Sequence, residues 1–313
     1  MENQYGIGTA LLFYRQKKKL TGEIVSKGIC SVATLSRIES GIREYHSFFI
    51  RAIMERVGIE VNQFEILLND EDYRISRLRR KMEQLLQAEH ETEPQRLKEL
   101  RQYWEEYGDS NININETVID RQYLLYVKAK LSLWEHAPIQ ETISLFETAL
   151  ALTKELDSRK WKGQCFHQLE GRIIYELYQL GRFGEAEAEI LFECIEKIWS
   201  DQLKDQFLIA FYWRRIVRLE EKGEYEAMLM LAKKVSGLIR QSRSYRFLAD
   251  VLFGKLRAEV VILKQNGRME MRREALLEEA MDIYYLYDLE DRDDDRKKIT
   301  HFCKEEFSWQ ITT

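Results

Sequence analysis

Proline is nearly absent from this 313-residue chain, with only Pro94 and Pro138, and glycine is held to 15 residues. That scarcity of breakers excludes a plan of short strands and tight turns. The Leu, Ile, Glu, Lys and Arg that dominate instead read as helix almost throughout, joined by short connections. The only cysteines, Cys30, Cys165, Cys194 and Cys303, show no CxxC spacing. Scattered thiols of this kind exclude a disulfide framework and fit a reducing cytosol. No apolar run approaches the roughly 18 residues that a membrane helix requires. The opening MENQYGIGTALLFYRQKKK places its charges after its apolar stretch, the reverse of a secretory signal. The expectation is a cytoplasmic protein without membrane contact.

The signatures of catalysis are missing as well. His46, His90, His136, His167 and His301 lie far apart, with no Cys, Asp or Glu at metal-ligand spacing. The sequence contains no GxxxxGK[ST], GxGxxG or GxSxG motif. The acidic run DLEDRDDDRKK (288–298) reads as a solvated connection entering a helix N-terminus, where carboxylates are favoured. No enzyme, cofactor or metal is expected.

What the chain does have begins with an uneven charge. Its net charge is −5, yet residues 1–60 hold nine Lys and Arg against six Asp and Glu. Only this N-terminal segment could approach a phosphate backbone without general repulsion, and Arg77, Arg79, Arg80 and Lys81 add a second basic cluster beyond it. Within the segment, LTGEIVSKGICSVATLSRIESGIR (20–43) splits into two short helical patterns. Thr21 is placed to cap the first, which turns Ile24 and Val25 to one face, and Gly28 permits the reversal. Ser31 is placed to cap the second, where Leu35 and Ile38 face inward at i, i+3 spacing and Gly41 stands as a stop. Two helices joined by a glycine turn make a helix-turn-helix, whose second helix enters the major groove. A first helix is expected over 7–20, ending in Lys17, Lys18 and Lys19, which suit either the helix dipole or a phosphate. A fourth is expected over 47–57 and a fifth over 62–68.

SxxTLSRIESG, preceded by LTxEIVSKGIC, resembles the helix-turn-helix of the Xre/Cro family. It is similar in particular to the Gram-positive peptide-pheromone regulators of the Rgg and PlcR type, the RRNPP group. Gly22 stands where those proteins usually have Gln, and Tyr45 where they usually have Pro. The resemblance implies that Val32, Ala33, Ser36 and Arg37 face base edges. Arg37 is suited to bidentate reading of guanine, and Val32 and Ala33 to thymine methyls. Lys18, Thr21, Ser31 and Arg43 complete the expected DNA-contacting set.

Beyond residue 70 the pattern changes. EDYRISRLRRKMEQLLQ (71–87) places Ile75, Leu78, Met82, Leu85 and Leu86 at helical spacing and reads as a linker helix. The segments LGRFGEAEAEILFECIEK, KGEYEAMLMLAKK and NGRMEMRREALLEEA then repeat one plan, in which a glycine is followed by an apolar residue, an alanine and a Leu-rich helix. Their glycines stand at 181, 223 and 267. FETALAL (146–152) is close to the second helix of a tetratricopeptide repeat. Hairpins are expected over 72–108, 117–155, 159–199, 203–241 and 245–287, with a cap over 295–308. GDSNININ (108–115) reads as an exposed loop or a brief extended piece. Hairpins of this kind cannot cover their own apolar faces, so they stack into a superhelix with a concave side. Phe146, Phe183, Phe192 and Tyr225 fall at positions that a hairpin buries.

The fold class read from all this is all-α: an N-terminal five-helix bundle containing the helix-turn-helix, followed by a TPR-like α-hairpin superhelix. Residues 1–70 form the DNA-binding domain, 71–88 the linker helix that opens the repeats, and 72–313 the repeat domain with its cap. The resemblance implies a homodimer on double-stranded DNA, controlled by a short signalling peptide in the repeats. Alignment on the glycines nominates Gln168, Arg172 and Tyr175, then Trp213 and Arg214, then Arg257 and Val261 for the concave wall. Tyr126 and Lys130 extend it. A wall of amides, aromatics and guanidiniums suits an extended peptide. Peptide binding itself is implied by the resemblance and not by these residues. A protein-interaction module with a vestigial helix-turn-helix is the alternative, and a regulator whose repeats serve only dimerisation is a third reading.

Overall fold

The computed structural model describes residues 6–42, 47–59, 70–87, 94–109, 117–199, 201–242 and 245–309. Among them every regular element is helical. The short N-terminal helices are α1 (Ile7–Lys17), α2 (Gly22–Ser26), α3 (Val32–Glu39) and α4 (Ser47–Arg56). Both predicted caps are made: Thr21 Oγ1 accepts from Ile24 N at 3.3 Å, and Ser31 Oγ accepts from Thr34 N at 3.1 Å. Leu11, Val25, Leu35, Ile38, Ile53 and Met54 form the interior of this bundle. Arg15 ties it together, donating to both carboxylate oxygens of Glu39 at 2.6 and 2.7 Å and to Leu20 O at 3.1 Å. The helix expected over 62–68 lies outside the described residues, as do Arg43, Tyr45 and residues 110–116 of the Asn-rich stretch.

Five helix pairs follow: α5 (Asp70–Gln87) with α6 (Pro94–Asp109), α7 (Val118–Trp134) with α8 (Ile139–Ala151), α9 (Gln168–Gln179) with α10 (Glu185–Ile198), α11 (Asp201–Glu221) with α12 (Tyr225–Ser242), and α13 (Leu248–Gln265) with α14 (Met269–Leu289). Helix α15 (Asp293–Phe307) follows as the expected cap. The glycines at 181, 223 and 267 all have positive φ, so the repeated sequence signal is the hairpin turn itself. Of the aromatics expected in the core, Phe146, Phe183 and Phe192 are buried. Tyr225 is only half-buried, because it opens α12 at the hairpin corner.

The third hairpin departs from its expected range. Its first helix begins at Gln168, not near 159, because 161–167 is an irregular packed segment. Trp161 is fully buried there, edge-on to Phe166 and Phe183, and donates to Glu155 O at 2.7 Å. The chain forms two compact units, 1–200 and 201–313. In the first, the small bundle is packed with three hairpins, and α4 lies against α7. In the second, Phe253, Leu256, Leu276, Ile283 and Tyr287 meet Ile299, Cys303 and Phe307 of the capping helix in one core.

Candidate functional site

In the first unit, α3 turns Leu35 and Ile38 into the bundle and presents Val32, Ala33, Ser36 and Arg37 to solvent. This is the division that the i, i+3 spacing predicts. Ser31 and Thr34 hydroxyls are 2.9 Å apart at its N-terminus, and Thr21 is exposed at the start of α2. Gly22 has a packing role. A Cβ there would stand 3.2 Å from Val32 Cγ1, so the missing side chain lets α2 lie close under the start of α3. Two cations of the bundle are held by the repeats. Lys18 donates to Ile198 O at the end of α10, and burial lowers its pKa. Lys27 lies 3.4 Å from Glu155.

The residues nominated for the groove fall into one group in each unit. In the first, Arg172 pairs with Glu83 of α5, which holds the guanidinium firmly charged. Lys130 donates to Glu176 at 3.1 Å. Tyr175 is half-buried one turn beyond Arg172. Tyr126 is buried, with its ring against Phe146 and Tyr123, so it contributes packing beneath the polar residues. The backbone N–H of Gln168 is taken at 2.9 Å by Glu55 of α4. In the second unit, Arg257 pairs with Glu220 at 2.9 Å and lies over the Phe253 ring, while Arg214 stands 4.0 Å from Glu221. Trp213 and Val261 are half-buried in that unit. Each polar patch is thus a set of cation–carboxylate pairs beside aromatic rings.

Sequence reading missed two buried charge clusters. In one, Arg79 of α5 stacks on Phe48 and Tyr123 at 3.5 and 4.2 Å and pairs with Asp120 at 3.3 Å. Asp120 also accepts from Tyr107 at 2.6 Å. In the other, Arg56 donates to Glu170 at 2.6 Å with both side chains wholly buried, and Lys154 Nζ lies 3.9 Å from Glu170. Burial pushes Glu170 up, but Arg56, His167 and Lys154 pull its pKa down to about 2. Burial lowers His167 to about 3 and Lys154 to about 8. Arg56 and Glu170 are 114 residues apart, so no local spacing announces them. The only hint is a charge set in an apolar run, as in AIMERVG.

Among the described residues no helix is long and apolar enough to cross a membrane, and no three His, Cys, Asp or Glu gather as metal ligands. Fold and site together define a class: a helix-turn-helix bundle joined to TPR-like α-hairpins that carry polar, aromatic-flanked patches. Solved structures of that class match nearly the whole chain. PlcR of Bacillus thuringiensis, in complex with the peptide PapR7 and DNA, is 15% identical with a TM-score of 0.55, over 94% of this chain and 98% of its own. ComR of S. thermophilus, in complex with DNA and its signalling peptide ComS, is 17% identical with a TM-score of 0.47, over 96% and 99% of the two chains. The SHP pheromone receptor Rgg2 of Streptococcus dysgalactiae is 16% identical with a TM-score of 0.41, over 96% and 100%. The all-α fold of the chain is therefore that of PlcR, with the helix-turn-helix and repeat plan expected from the sequence. No family profile and no curated protein matches the sequence.

Proposed function

We propose that the protein is a cytoplasmic, sequence-specific DNA-binding regulator, acting as a homodimer under the control of a short peptide held by its repeats. The observation that carries the reading is the exposed face of α3, where Val32, Ala33, Ser36 and Arg37 project from a helix fixed by Leu35, Ile38 and the Arg15–Glu39 pair. A helix so held can lie in a major groove with Arg37 against guanine. Thr21 and Ser31, at the two helix N-termini, would contact phosphates. The candidate peptide contacts, each set taken within its own unit, are Arg172, Tyr175 and Gln168 with Tyr126 packed beneath in the first, and Trp213, Arg214, Arg257 and Val261 in the second. PlcR, whose fold the chain has, was solved with both a peptide and DNA, which supports this pairing of functions.

The experiment is selection of bound sequences from a random duplex pool by the full chain, followed by the same selection with Arg37→Ala. We expect a two-fold symmetric site in the first, and in the second a loss of about 1–3 kcal/mol of discrimination at one base pair of each half-site. Enrichment of no sequence would exclude the reading. The engagement of Lys18 and Lys27 by the repeats favours one alternative, a protein-binding repeat module with a vestigial helix-turn-helix. That alternative requires no DNA selection and a co-purifying partner.

A further inference from the structure

The turn of the helix-turn-helix has an unusual neighbour. Arg56, at the end of α4, is wholly buried and extends in two directions. One terminal nitrogen donates to Val25 O at 2.9 Å and to Lys27 O, the carbonyls at the end of α2. The other donates at 2.6 Å to Glu170, in the first turn of α9. The second oxygen of Glu170 accepts from His167 N at 2.9 Å, so the same carboxylate caps its own helix. Beside it, Glu55 accepts from Gln168 N, the next N–H of that helix end. Helix α9 therefore begins with its N-terminus held by two consecutive residues of the DNA-binding bundle. Two residues further on it carries Arg172, tied to Glu83, and a turn beyond that Glu176, tied to Lys130.

We propose that α9 is a coupling rod and Arg56 its pivot, so that displacement of Arg172 from Glu83 alters the hydrogen bonding of the turn between α2 and α3. The physical grounds are stiffness and shared partners. A 12-residue helix moves as a body, and Glu170 cannot shift without Arg56, because a buried guanidinium stripped of its carboxylate is strongly disfavoured. Arg56 in turn cannot shift without releasing the carbonyls of Val25 and Lys27. The turn is packed on its other side too, since Gly28 lies directly against the Thr153 backbone. Arg56 and Glu170 are thus positioning residues for the recognition unit. Arg172 is where a carboxylate on a ligand, such as a peptide C-terminus, would enter the chain of contacts. That last step rests on the proposed peptide reading; the coupling itself does not.

The test is amide hydrogen exchange on the full chain, with neither DNA nor peptide present. Arg172 pairs with Glu83 of α5, its charge also reaches Glu55 of α4, and as a partly exposed residue it tolerates replacement. We expect Arg172→Ala to speed exchange at Lys27, Ile29 and Cys30, whose N–H groups bond within the turn, by roughly five- to tenfold. Amides of α1 and α13 should not change, and Arg172→Lys should restore most of the protection. In a Glu170→Gln background the Arg172→Ala effect on the turn should vanish. If E170Q does not fold, paired Arg56→Met and Glu170→Met replacement removes both charges at similar volume and serves instead. Unchanged turn amides in R172A would overturn the proposal. So would a parallel rise in α1, which signals general loosening, or an effect that persists without Glu170. None of these results bears on whether α3 reads DNA.

Discussion

Glu170 and His167 show how much a single buried cluster can govern. Both are buried, and both have pKa values below their ordinary ones, Glu170 at about 2 and His167 at about 3. The two shifts act in the same direction on stability. As pH falls below about 6.5, the unfolded chain protonates its imidazole while the folded chain does not, so stability is lost toward pH 3. From about 4.5 downward the unfolded carboxylate also takes a proton that folded Glu170 refuses until about pH 2. Urea titrations at stepped pH should therefore show stability declining from near pH 6.5, and His167→Gln should flatten the upper part of that decline. A flat wild-type profile between pH 6.5 and 5 would refute the assignment. Arg15→Ala makes a second prediction at this scale. It leaves Glu39 half-buried without its bidentate partner and α3 without its tie to α1. We expect loss of about 2–4 kcal/mol in denaturant midpoint experiments, with DNA binding falling in parallel.

At the scale of elements, the glycines separate turn chemistry from packing. Gly28 and Gly41 both have φ near +70°, so alanine at either position is strained by roughly 1–2 kcal/mol. They differ in surroundings: a Cβ at Gly41 meets nothing, while one at Gly28 runs into the Thr153 backbone. Thermal melts should accordingly rank Gly28→Ala well below Gly41→Ala, and equal effects would mean that the turn does not rest on Thr153 as described. The same contrast explains what was legible beforehand. Caps at Thr21 and Ser31, the inward pair Leu35 and Ile38, and the turns at 181, 223 and 267 are local signals, fixed by residues within one or two helical turns of each other. The start of α9 at Gln168 was not legible, because it depends on Trp161 finding Phe166 and Phe183 and on Glu55 supplying a partner from the bundle. Among the residues nominated for the groove, Arg172 and Tyr175 lie on one helix, while nothing local announced that Tyr126 would be covered or that Glu83 would hold Arg172.

For the molecule as a whole, charge decides how DNA could be bound. The chain carries a net −5, so attraction to a duplex must come from a few local cations against a repelling remainder. Sequence counting offers nine Lys and Arg in the first 60 residues, but the structure removes several from that list. Arg15 is tied to Glu39, Arg56 to Glu170, Lys27 to Glu155, and Lys18 to the Ile198 carbonyl. Of the other five, Arg43 lies outside the described residues and Arg51 is exposed on α4, while Lys17, Lys19 and Arg37 are exposed on α3 and at the end of α1 that leads into the helix-turn-helix. Three phosphate-neutralising groups per protomer, six in a dimer, correspond to a slope of roughly −5 in log affinity against log salt. If Lys18 left Ile198 for a phosphate in both protomers, the slope would steepen to about −7. Titration of the selected duplex across a range of salt distinguishes the two, and Lys18→Ala sharpens the comparison. We expect a slope near −5 that this variant does not change, because the ammonium stays with the end of α10. A wild-type slope near −7, brought back to −5 by Lys18→Ala, would instead show that DNA and the repeats compete for one cation, and that binding the operator breaks a contact between the bundle and α10.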